Sequence, residues 1–109
     1  RRWKGTKVES VLRTIDRGGE VEFQLELWNG PPAYNSGLAM GRLSVRDGAA
    51  TYETTEFGGK CRIEFSFTKR LVVVKQSEGD SFDCGFGHGV FAYGKFVRTS
   101  RRKPRFRTP

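Results

Sequence analysis

The sequence predicts an all-β domain, a small antiparallel β-barrel or closed meander of about seven or eight strands. Three observations lead there. Apolar and polar residues alternate through several short segments, most clearly over Glu20–Trp28. Glycine is abundant, 14 of 109 residues, and falls mainly between those segments, where the chain must turn. A 36% hydrophobic content that includes nine Phe suits one modest core in one domain. A two-layer sandwich satisfies much of the same pattern.

The elements follow in chain order. Residues 1–7, RRWKGTK, read as a basic leading segment, with Trp3 either capping an open barrel end or anchoring at the surface. Residues 8–15 mix periods: Val8, Val11, Leu12 and Ile15 would align on a short helix, while the Val, Thr and Ile content favours a strand. Arg17-Gly18-Gly19 is a turn. In residues 20–28, Val21, Phe23, Leu25 and Leu27 alternate with Glu20, Glu22, Gln24 and Glu26, the pattern of a half-buried strand with an acidic outer row. That row faces water or a basic partner, or pairs with Arg42 and Arg46 across the sheet. Asn29-Gly30-Pro31-Pro32 ends the strand, because proline cannot donate to a central ladder.

Residues 38–46 form the next strand, with Leu43 and Val45 inward, and Asp47-Gly48 is a strong hairpin turn. Residues 49–55 return, 60–68 follow around Cys61, Ile63, Phe65 and Phe67, and 71–76 are nearly continuous apolar strand. A last strand is expected over 90–97. The expected core is Val21, Phe23, Leu25, Leu27, Leu43, Val45, Tyr52, Ile63, Phe65, Phe67, Val73 and one face of 90–97. The organisation expected is a leading segment over 1–7, a single β domain over 8–97 and a basic flexible tail over 98–109.

Net charge is +8, which by itself suggests a polyanionic partner. The charge sits at the ends. Arg1, Arg2, Lys4 and Lys7 lead the chain, and Arg98, Arg101, Arg102, Lys103, Arg105 and Arg107 close it, with no acid in either segment. The tail reads as a solvated end or as a polyanion contact, in which Phe106 stacks on a base or enters lipid shallowly. Phenylalanines in the buried phase argue against a nucleic-acid-binding sheet face. No stretch is long and apolar enough for a membrane-spanning helix. The chain opens on Arg1-Arg2-Trp3 without a methionine, the pattern expected of a trimmed or mature form.

Cys61 and Cys84 are the two cysteines, too widely spaced for a redox CxxC pair and too few for an all-cysteine zinc site. A Cys61–Cys84 disulfide is expected, with a buried free thiol at Cys61 as the other reading. The disulfide would place the protein in the periplasm or outside the cell. Cys84-Gly85-Phe86-Gly87-His88-Gly89 reads as a tight bend beside that bridge. It lacks the basic-hydroxyl pair and the βαβ context of a phosphate loop. His88 is the single histidine; Asp80 and Asp83 lie near it in sequence, but no nucleophile or repeated ligand set accompanies it. No catalytic site, metal or cofactor is therefore expected.

The Cys61…Cys84 pair, the closing Gly94-Lys95-Phe96 strand and the run of short antiparallel strands resemble small bacterial extracytoplasmic β-barrel proteins. These include the periplasmic and lipid-anchored inhibitors of C-type lysozyme. The resemblance spans roughly residues 20–97 and implies a secreted, non-enzymatic domain that blocks its target by inserting a loop. Ser36-Gly37 is followed here by Leu38-Ala39-Met40, which departs from the inhibitors' loop pattern, so no inhibitory residue is carried over. The function expected is binding of a protein or other cell-envelope macromolecule by the loops Trp28–Gly37 and Phe82–Gly89. Trp28, Tyr34 and Phe86 are the aromatic contacts, with Asn35 and His88 as polar ones. The alternative is nucleic-acid or polyanion binding through the basic ends.

Overall fold

The computed structural model describes residues 1–6, 9–30 and 35–107. Its strands are β1 (Arg2–Gly5), β2 (Val11–Asp16), β3 (Glu20–Trp28), β4 (Ser36–Ser44), β5 (Ala49–Thr54), β6 (Cys61–Phe67), β7 (Leu71–Glu78) and β8 (Tyr93–Ser100), with a short 3-10 helix at Phe82–Cys84. All eight lie in one antiparallel sheet, in the order β4-β3-β2-β1-β8-β7-β6-β5, curled into a nearly closed barrel. A single curled sheet settles the choice between barrel and sandwich.

The chain ends meet in the middle of this order. β1 pairs with β8, so the leading residues are a strand of the wall: Trp3 lies opposite Arg98 and Lys4 opposite Val97. Trp3 is buried, and its indole N–H donates to the Thr14 hydroxyl at 3.2 Å. The basic charges of residues 1–7 hid this strand, because only Trp3 carries its inward phase. The closing strand likewise starts and ends three residues later than expected, at 93–100, so Arg98 belongs to the wall.

The open seam lies between β4 and β5. The expected Asp47-Gly48 turn joins them, with both residues at positive φ and one bridge at Arg46 and Ala49. Beyond that bridge the strands are the two edges of the sheet. Side chains fill the seam instead. The inward row of β4 is Gly37, Ala39, Gly41 and Leu43. A Cβ on Gly41 would lie 2.9 Å from the Tyr52 ring, and one on Gly37 would lie 2.5 Å from the Phe86 ring. Tyr52 stands edge-on to Phe23 at 5.1 Å, which ties the seam to the core.

The core contains Phe23, Leu25, Leu27, Leu43, Ile63 and Phe65, as expected, together with Trp3, Leu12, Val72, Val74, Phe86, Val90, Ala92 and Phe96. Val45, Tyr52 and Phe67 pack against it while half-buried. Val73 is a correction: it points outward at 39% exposure. An all-apolar run does not reveal its own phase. The register does, placing Val72 opposite Phe67 and Val74 opposite Phe65. Gln76 completes that inward row and is buried without loss of hydrogen bonds. Its amide donates to the carbonyls of Gly79 and Asp80, and its oxygen accepts from Ala92 N–H.

The acidic outer row of β3 is only partly solvated. Glu20 and Glu22 meet Arg42 across the sheet, as expected, whereas Arg46, the other expected partner, lies beyond this pairing and bridges to Ala49. Gln24 and Glu26 are buried, although they point away from the core. The C-terminal residues cover them. Gln24 accepts from Arg107 N–H at 2.9 Å and donates to Arg107 C=O at 2.6 Å, as a neighbouring strand would. Glu26 pairs with Arg13 at 2.9 Å, both side chains being about nine-tenths buried. The tail expected to hang free from residue 98 thus begins after Ser100 and returns to β3 at Arg107.

Candidate functional site

One end of the barrel is built from residues 28–30 and 35–36 on one side and residues 81–90 on the other. The disulfide fixes the second of them. Cys61 starts β6 and Cys84 ends the 3-10 helix, with the sulfurs bonded and the Cα atoms 5.0 Å apart. Asp80 and Asp83 then fold the segment on itself, each carboxylate accepting from the other's backbone N–H at 2.9–3.0 Å. Gly85 and Gly89 adopt the left-handed backbone that the bend requires. Gly87 serves a different need. Its N–H donates to Ser36 C=O at 2.8 Å, and a Cβ there would lie 2.9 Å from that oxygen.

Asparagines complete the join. Asn35 donates to His88 C=O at 2.8 Å, and Asn29 donates to Gly89 C=O at 3.1 Å. The two loops read from the sequence as contact candidates are therefore one braced unit. Asn35 serves as a brace, since its amide nitrogen is committed to the other loop. His88 is exposed and tilts against Phe82, ring centres 6.0 Å apart. Phe82, 59% exposed, is a contact candidate that alternation did not reveal, because it sits in a helical turn outside any strand. Phe57 lies against Gly85 in the same bend: a Cβ on Gly85 would be 2.7 Å from the Phe57 ring, which is itself exposed.

Two expected contacts fall elsewhere. Phe86 is 3% exposed and plugs the seam under Gly37, so it holds the loop from inside and is not available to a partner. Its position between two glycines gave no phase to read. Trp28 is exposed but opens onto the outer face of β1–β3, where Arg2, Lys4, Arg13 and Arg107 surround a polar recess of about 390 Å³. Tyr34 lies outside the described residues.

The basic candidates are dispersed along the tail. Arg98 is half-buried in β8, and its N–H donates to Arg70 C=O. Burial, then repulsion from Arg101, Arg1 and Arg70, draws its guanidinium below the usual range. Arg101, Arg102, Lys103 and Arg105 are exposed, whereas Phe106 is half-buried. Arg107 is held by Gln24 and lies 3.8 Å from Glu26. Among the described residues, no three His, Cys, Asp or Glu side chains converge as a metal-ligand set, and no helix is long and apolar enough to cross a membrane. The architecture is that of a generic small β-barrel with a disulfide, and no protein-family model, curated protein or solved structure matches the chain.

Proposed function

We propose that this protein is a non-enzymatic, extracytoplasmic binding domain of the inhibitor kind, which presents its braced loop end to a protein partner. The observation behind this reading is the joining of two loops by disulfide, glycine contact and asparagine bonds, with Phe57, Phe82 and His88 left outward. Such a surface loses little conformational entropy on binding, and exposed aromatic side chains supply the anchor area. Asp80, Asp83 and Glu56 near those aromatics suit a basic partner. A disulfide buried at both sulfurs accords with an oxidising compartment.

C-type lysozyme, a basic protein and the target that the resemblance implies, is the partner to test first. In a cell-wall lysis assay, a stoichiometric amount of the protein is expected to slow the enzyme. The Phe82→Ala/His88→Ala variant is expected to relieve most of that inhibition. An unchanged lytic rate at tenfold excess, or full inhibition by the double variant, would overturn the assignment.

A second reading, polyanion binding, draws on the crowding of Arg1, Arg70, Arg98 and Arg101. Removing residues 101–109 takes away Arg101 and the exposed tail cations while leaving β8, Arg1, Arg70 and Arg98 in place, and so tests the tail's share. Heparin affinity is expected to drop and its salt dependence to flatten; unchanged affinity would end the tail-based version.

A further inference from the structure

A second surface of the barrel carries the features of a small-ligand site. An open groove of about 770 Å³ runs along β8 between β7, the end of β1 and the loop end. That volume lies within the range of roughly 300–1,000 Å³ usual for such sites. Its walls are apolar: Val73, Phe91 and Tyr93 line it at 39%, 44% and 58% exposure. Exposed apolar side chains gathered this closely ask for a partner. Between these outward side chains the lining includes the backbone at Val74 and Phe96, whose side chains turn inward at 1% exposure. Gly94 opens it further, since a Cβ there would meet nothing within 4 Å.

The charge of the lining has one sign. Lys75 and Lys95 border the groove, and no Asp or Glu lines it. The register places Lys95 opposite Val73 and Lys75 opposite Tyr93, so each lysine side chain leaves the sheet beside an apolar wall residue. Glu64 lies across from Lys75 on β6, yet neither lysine forms an ion pair among the described residues. Apolar walls with two free cations at the rim match a molecule with an apolar chain and an anionic head.

We propose that this groove binds a fatty acid, with the chain along Val73, Phe91 and Tyr93 and the carboxylate between Lys75 and Lys95. A groove of this volume bordered by two cations matches one chain with one anionic head, which favours a single bound molecule over a membrane surface. The site is distinct from the loop surface and does not depend on its role, although Asn29 and Gly89 contribute to both.

The test is titration calorimetry of the whole protein with dodecanoate below its micelle concentration. Saturable binding of one molecule per chain is expected, with dodecanol and dodecyltrimethylammonium weaker by at least about tenfold, because each forfeits the charge-assisted contact. Lys75→Glu/Lys95→Glu is expected to reduce dodecanoate affinity by a similar factor, and Val73→Glu to abolish binding. If the double Glu variant does not fold, Lys75→Gln/Lys95→Gln carries the same readout. No saturable dodecanoate binding, equal affinity for dodecanol, unchanged binding by the lysine variants, or binding confined to phosphatidylglycerol vesicles would overturn the proposal.

Discussion

Gly37 and Phe86 offer a test in which the sign of an effect should reverse. A methyl on Gly37 would lie 2.5, 2.7 and 2.9 Å from Cδ1, Cγ and Cβ of Phe86. Two of those atoms are near the backbone and cannot swing aside. Gly37→Ala alone therefore overpacks the seam, at a cost of about 1–3 kcal/mol. Replacing a strand glycine returns about 0.5–1 kcal/mol in lost unfolded-state freedom. The net cost is on the order of 1–2 kcal/mol, or roughly 4–16 °C in Tm for a domain of this size.

Phe86→Ala alone is expected to cost about 3–5 kcal/mol, as a fully buried ring does. With the ring gone, Gly37→Ala should stabilise by about 0.5–1 kcal/mol. Urea unfolding of the four proteins, followed by tryptophan fluorescence, completes the cycle. A coupling of about 1–3 kcal/mol is expected. If Gly37→Ala costs the same in both backgrounds, within about 0.5 kcal/mol, Phe86 does not sit under Gly37 and the seam is closed in some other way.

Replacing both cysteines by alanine releases a bridge across 23 positions, worth about 3 kcal/mol by the chain-entropy estimate. Tm should fall by roughly 12–24 °C; a scanning melt under non-reducing conditions reads this. Glu26→Gln leaves the buried Arg13 guanidinium without its carboxylate and should cost about 3–5 kcal/mol, whereas Arg13→Met/Glu26→Leu should cost clearly less, both by urea unfolding. Burial, partly offset by a Thr54 hydrogen bond and reinforced by Glu56, raises the Tyr52 phenol above its usual value. The folded state thus favours the neutral phenol. Its contribution is whole below a pH of about 10 and is lost as pH climbs through the raised folded value. Tyr52→Phe should flatten that alkaline loss in a stability–pH profile.

Much of the barrel was legible because strands with one buried face write their phase into the sequence. Glu20–Trp28 and Cys61–Phe67 show this, and both occur at the predicted places. Other features had no local signal. β1 was concealed by arginines and lysines that flank one inward tryptophan. The phase of Leu71–Val74 was undetermined because every residue is apolar, and only pairing with β6 fixes it. The burial of Gln24 and Glu26 depends on residues some eighty positions later, a relation no window along the chain contains. In the loop end, the bend and its cysteine tie were readable from spacing and glycine content. The inward turn of Phe86 was not, since it is decided by the space above Gly37 on a different strand.

Amide hydrogen exchange at Gly87 is the most direct test of the braced loop end. With its N–H bonded to Ser36 C=O and its loop tied by the disulfide, Gly87 should exchange slowly in the oxidised protein, at a rate approaching that of the β6 and β7 amides. Protection should largely vanish in the cysteine-free variant. Exchange of Gly87 at the unprotected rate, while β6 and β7 remain protected, would show that the two loops do not form one surface.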